Sequence, residues 1–128
     1  MPTFEIPSLK TNHLLLAYPL SCESSVKVSV MYPNNEGSTF DMTYYCETHM
    51  PMVRQKLGPA LKGVSVERGI GGEEPGSPAP YIALGHLLFE SLEAFQTSFG
   101  PHAPQFEADI PNYTNTQPTI QISEVKQA

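Results

Sequence analysis

From Val26 onward, apolar and polar positions fall into a readable series of periods. Val26, Val28 and Val30 alternate with Lys27, Ser29 and Met31, and a period of two predicts a strand. Residues 33–38, Pro-Asn-Asn-Glu-Gly-Ser, are turn-rich. Asp41 is suited to cap a helix. After it, Met42, Tyr45, His49, Val53 and Leu57 recur at spacings of three and four, so they share one helical face. Gly58-Pro59 ends that helix. Pro51 falls inside the pattern; it has no N–H and its ring crowds the carbonyl of Glu47, which predicts a kink or restart near His49. A second strand is expected over Leu61–Ile70, with Val64 and Val66 facing one way and Ser65 and Glu67 the other. Residues 71–80 are a long loop rich in Gly and Pro. The third strand, Tyr81–Phe89, is apolar on both faces: Tyr81, Ala83, Gly85, Leu87 and Phe89 against Ile82, Leu84, His86 and Leu88. Ser91 caps a second helix with the stripe Leu92, Phe95, Phe99. Gly100-Pro101 interrupts it, a helical piece over 101–109 follows, and Pro111 stops that piece. Thr119–Val125 is the last strand, with Ile120 and Ile122 inward.

The order is strand, helix, strand, strand, helix, strand. That predicts an α+β, ferredoxin-like βαββαβ fold on an antiparallel sheet. Because the third strand is apolar on both faces, both must be covered. One layer of helices covers one face. A second copy of the sheet is the simplest cover for the other, which predicts a homodimer closed as a dimeric α+β barrel.

Composition narrows the partners. The chain has 128 residues, 40% hydrophobic and 16% charged, which suits one globular domain. A net charge of −6 with no Lys/Arg cluster argues against nucleic acid and against an anionic membrane surface. Cys22 and Cys46 have no metal or disulfide spacing, so a reducing cytoplasm is expected. The run Leu14–Ala17 is too short to span a bilayer. Residues 1–25 read as a poorly structured extension ahead of the domain at 26–128, with a lipoprotein signal ending at Cys22 as the alternative.

Candidate chemistry rests on few residues. No dinucleotide, Walker, nucleophile-elbow or zinc-protease motif is present. His13 lies in the extension. His49 follows Tyr45 by four positions on the apolar side of the first helix, where an imidazole can act as general acid or base; a packed histidine is the competing reading. His86, in the third strand, either faces the same cavity or is a satisfied core residue. His102 follows Gly100-Pro101 and is either an exposed cap or a pocket residue. His49, His86 and His102 show no ligand spacing, so no metal or haem is expected. Cys46 is turned about 100° from Tyr45 around the helix and is expected in the core. Asp109 and Glu107 near a helix end could orient a histidine. With Tyr45, Tyr81 and Phe99 among many aromatics, a cleft for a small apolar or aromatic molecule is expected. The expected catalytic group is His49, with Tyr45, Tyr81, His86, Phe99 and His102 contacting substrate.

The run over residues 40–53, Phe-Asp-Met-Thr-Tyr-Tyr-Cys-Glu-Thr-His-Met-Pro-Met-Val, resembles the signature of the EthD family, named for ethyl tert-butyl ether degradation. Three later stretches resemble it too: residues 58–63, 85–89 and 108–114. The resemblance spans about residues 26–125 and leaves out the first 25. It implies a ferredoxin-like fold paired into a dimeric barrel, with a ligand cleft between sheet and helices. The family's histidine falls on His49. The wider superfamily holds cofactor-free monooxygenases, isomerases, cyclases and haem enzymes, so fold does not settle reaction. The expected function is a cofactor-independent enzyme of degradative or secondary metabolism. It would use histidine acid/base chemistry on a small oxygenated molecule, in a monooxygenase-, isomerase- or cyclase-like reaction. The alternative is a non-catalytic binding or accessory protein of a degradation pathway.

Overall fold

The structure, a computed structural model, describes residues 25–128. The expectations for the extension, including His13 and Cys22, lie outside the described residues. Four strands are present: β1 Val26–Pro33, β2 Leu61–Arg68, β3 Tyr81–Phe89 and β4 Thr119–Glu124. They form one antiparallel sheet in the order β2-β3-β1-β4. The β1–β4 pairing runs one step past both strands, where Val125 N–H donates to the Ser25 carbonyl at 2.8 Å. The connections place helices on a single face, as the ferredoxin-like reading requires.

Helix α1 covers residues 42–57 in three registers: an opening turn Met42–Tyr44, a π-helical stretch Tyr45–His49 and an α-helical stretch Met50–Leu57. Asp41 caps it, its Oδ1 accepting from Tyr44 N–H at 3.0 Å. The restart expected near His49 takes the form of one wide turn, after which an α-helical stretch opens with Pro51 in its first positions. Met50 N–H donates to the Tyr45 carbonyl five residues back. Widening the turn ahead of the proline ring relieves the crowding that a proline imposes on the preceding turn, so the helix runs on unbroken. Gly58 ends α1 at φ 60°, a left-handed value that favours glycine.

Helix α2 is Leu92–Phe99, capped by Ser91 Oγ accepting from Ala94 N–H at 3.1 Å. A 3₁₀ turn over Gly100–His102 leads into α3, Ala103–Asp109, and a second such turn, Ile110–Asn112, follows. Each of these segments carries a proline in its opening positions except α2. There the missing N–H costs nothing, since those donors have no helical partner anyway.

The core lies between the sheet and the helices. Val26, Val28 and Tyr32 from β1 and Ala83, Leu87 and Phe89 from β3 meet Val53 and Leu57 of α1. A ladder of rings, Phe89–Phe95–Phe99–Phe106, ties sheet to α2 to α3 with centroids 5.1–5.2 Å apart. Such edge-on and tilted pairs add about 1 kcal/mol each beyond the area they bury.

The other face of the sheet has no helix. Register puts Ile82, Leu84, His86 and Leu88 there, beside Ser29 and Met31 of β1 and Ser65 and Glu67 of β2. Strand β2 ends at Arg68, two residues sooner than the sequence pattern suggests, and Ile70 is 95% exposed. Ile120 faces the cavity side, as expected, but remains half-exposed. Cys46, expected in the core, is exposed: one step beyond Tyr45 around α1 carries it to the solvent side. Among the described residues no helix is long and apolar enough to cross a membrane.

Candidate active site

A cavity of about 70 Å³ opens between the sheet and the helices. Apolar side chains from both layers line it, among them Val30, Val53, Leu87, Phe99 and Phe106. The polar groups in its wall are few: His49, three tyrosines (Tyr32, Tyr45 and Tyr113) and Glu107 at the end of α3.

The widened turn of α1 sets His49. In a π-helical loop, residues four apart come closer to eclipse than in an α-helix. Accordingly the rings of Tyr45 and His49 stack, 5.3 Å between centroids and 13° between planes. Both are buried. Tyr113 closes on them from the far side, its ring 4.8 Å from His49 and 5.0 Å from Tyr45. Tyr113 is brought there by backbone pairing, since Asp41 N–H donates to the Tyr113 carbonyl at 2.7 Å and Phe40 bridges Thr114. Tyr32 arrives from β1 and its hydroxyl lies 2.7 Å from that of Tyr113.

The Nδ1–H of His49 donates to Asp109 Oδ2 at 2.9 Å. The other carboxylate oxygen of Asp109 accepts from Tyr44 Oη and from Asn112 Nδ2, both at 2.8 Å. Burial works against the charge on Asp109, but the hydrogen bonds from Asn112, His49 and Tyr44 outweigh it and hold the carboxyl below its ordinary value. Burial likewise dominates at His49 and lowers its pKa, against the raising influence of Asp109. The ring is therefore neutral at pH 7. Asp109 fixes the proton on Nδ1, and Nε2 carries the free lone pair. All three buried phenols are pushed far above their ordinary value, first by burial, so they remain O–H donors.

Of the residues singled out from sequence, Tyr45, His49 and Phe99 share this cavity. Tyr81, His86 and His102 do not line it. Tyr81 opens β3 opposite Pro33, one residue beyond Tyr32, and the cavity stops short of it. His86 alternates with Gly85 and so points through the opposite face. There Nε2–H donates to Glu67 Oε1 at 3.2 Å, and Ser29 Oγ–H donates to Nδ1 at 2.9 Å. His102 sits in the 3₁₀ turn with its ring 6.2 Å from Phe106. The three histidines do not gather, and among the described residues no three His, Cys, Asp or Glu side chains could hold a metal ion.

Tyr32 and Tyr113 are the contributors that the residue-level reading passed over. Tyr32 continues the inward row Val26, Val28, Val30, a signal present in the alternation. Asp109 was recognisable only as a carboxylate able to orient some histidine. Gly85 matters as well: a Cβ there would overlap the Tyr45 hydroxyl, so the absence of a side chain makes room for the phenol.

The EthD domain pattern matches residues 36–117. No curated protein sequence matches the chain. An EthD-like protein from Ralstonia eutropha is similar in structure with a TM-score of 0.77; it is 40% identical, over 83% of this chain and 97% of that one. An ethyl tert-butyl ether degradation family protein from Bacillus halodurans has a TM-score of 0.61 at 22% identity, over 79% and 98% of the two chains. SnoaB, a cofactor-independent oxygenase from Streptomyces nogalater, shares the fold at 8% identity and a TM-score of 0.53, over 84% and 97%.

Proposed function

The chain belongs to the EthD family, and from that premise we propose that it is a cofactor-independent enzyme acting on a small apolar molecule that carries oxygen. The observation that supports this most is the pairing of His49 with Asp109 beside an apolar cavity. A neutral imidazole whose Nδ1 proton is fixed by a carboxylate presents Nε2 as a general base, and once protonated as a general acid. The lining explains the ligand class: apolar walls exclude ions, while phenols and imidazole leave a few sites for hydrogen bonds. The fold shared with a cofactor-independent oxygenase is consistent with chemistry carried by side chains alone, although fold does not choose the reaction. Purified protein should convert members of a panel of small ethers, alcohols, ketones and phenols. His49→Gln should abolish that conversion while leaving the melting temperature within a few degrees. Conversion that is equal in the variant would overturn the assignment.

We further propose that the uncovered sheet face pairs with that of a second copy. Ile82, Leu84, Leu88 and Met31 lie on it as a half-buried apolar patch around the Ser29–His86–Glu67 hydrogen bonds. A twofold contact between two such faces closes the dimeric barrel. Light scattering should give twice the 14.1 kDa chain mass; the single-chain mass at micromolar concentration would refute the pairing.

A further inference from the structure

The hydroxyls in the cavity wall have one proton to spare. Each phenol brings one O–H and can accept as well. The Tyr32–Tyr113 hydrogen bond consumes one of that pair's two protons. Tyr45, whose ring lies 5.8 Å from that of Tyr32 and 5.0 Å from that of Tyr113, adds a third hydroxyl. Any open chain of hydroxyls has one more proton than it has internal bonds, so one O–H is left to donate outward. Most of the surrounding wall accepts nothing, with Val30, Leu87, Phe106 and Ile110 among it; its other polar side chains are His49 and Glu107. A hydroxyl donor in such a place is worth more than in water, and most to an oxygen that is gaining charge.

We infer that the ligand is a small enolisable carbonyl compound, its carbonyl oxygen accepting from the Tyr32–Tyr113 pair and its α-carbon beside His49. This rests on the acid/base reading of His49 given above. In the forward step the α C–H bond breaks and its proton goes to His49 Nε2. The C–H electron pair becomes the C=C bond of an enolate, and the carbonyl π pair moves onto oxygen, where the tyrosine hydroxyl meets it. In the return step Nε2–H gives the proton back, to the same carbon or to a conjugated one. The result is exchange or isomerisation, with no oxidant or reductant consumed.

The test uses the intact protein with cyclopentanone and 2-butanone in D₂O, following loss of the α-proton NMR signals. Phenol, as an enol mimic, and toluene, as its apolar counterpart, are the binding probes. Wild-type protein should accelerate exchange and bind phenol at least about ten-fold more tightly than toluene, as one hydrogen bond in an apolar site would give. Tyr32→Phe/Tyr113→Phe, which removes both hydroxyls of the pair, should slow exchange by about a hundred-fold and erase the phenol preference, with toluene binding unchanged; each single variant keeps one free O–H and should lose less. The unchanged toluene binding separates lost donation from a misfolded site, and the two single variants guard against failure of the double variant to fold. No exchange in the wild type, or exchange untouched in the double variant, overturns the carbonyl assignment. If His49-dependent conversion of a different oxygenated molecule persists alongside that result, the acid/base function stands and the carbonyl assignment alone falls. If neither toluene nor phenol binds the wild type, both fall.

Discussion

His49 and Asp109, 60 positions apart in the chain, meet through a single hydrogen bond of 2.9 Å that decides which imidazole nitrogen is free. Asp109→Asn removes the charge and hydrogen bond that raise the His49 pKa, so that pKa should fall further. In wild-type protein the activity should rise with pH along a limb centred below 6.5, the ordinary histidine value. In Asp109→Asn the limb should move to lower pH while the maximal rate drops by roughly a hundred-fold, as expected when a general base loses its orientation. A pH–rate profile for each protein checks both; a limb that moves upward would contradict the arrangement.

The same two shifts predict how stability changes with pH. His49 has a lower pKa folded than its ordinary 6.5, so below that value the unfolded chain takes up the proton first. Its contribution is complete above 6.5 and is lost as pH falls through the folded value. Asp109 is also lowered, from 3.8, so its contribution is complete above that point and is lost as pH falls below it. Melting temperature should therefore fall in two stages on acidification. Thermal melts between pH 3 and pH 8 measure this, and His49→Gln should remove only the upper stage.

Gly85→Ala should destabilise by about 1–3 kcal/mol, the usual cost of overpacking, because the new methyl meets the Tyr45 hydroxyl. Equilibrium denaturation reads the loss. Combining it with Tyr45→Phe, which removes that hydroxyl, should recover most of it, and failure to recover would place the strain elsewhere.

Pro51→Ala tests what the proline does for the site. Alanine is the better helix former, and its N–H lets the preceding turn close in the ordinary α register. The melting temperature should hold or rise. His49 should turn out of its stack with Tyr45, and the rate should fall by about a hundred-fold, the scale of a 1 Å misplacement. Equal activity in the variant would show that the wide turn does not set the ring.

Much of this fold was legible in the sequence because β1 and β3 bury a row at period two and α1 and α2 each open on a side-chain cap. Strand β3 was read at its true bounds, since Pro80 and Glu90 flank an unbroken apolar run. The site was half legible. His49 and Tyr45 share a helical face, and that is a local fact. Asp109 comes from the other end of the fold, and no spacing in the chain announces that it will reach His49. His86 lies outside the cavity for a different reason. A strand that is apolar on both sides gives no sign of which row meets the helices, and only the register with Val28 and Tyr32 of β1 decides it. Tyr81 belongs to the cavity-side row, but the cavity does not extend to the strand's first residue.

Gly85 and His86 are adjacent residues that work on opposite sides of one sheet, the first making room for Tyr45 and the second bonded to Ser29 and Glu67. The alternation divides β3 into two rows that can be edited separately. If the proposed pairing and site hold, a library varying residues 82, 84, 86 and 88 should alter assembly and spare the chemistry, whereas one varying residues 83, 85 and 87 should alter ligand preference and spare the assembly. On the proposed pairing and site, a change of subunit partner and a change of ligand would be written in different letters of the same nine-residue strand.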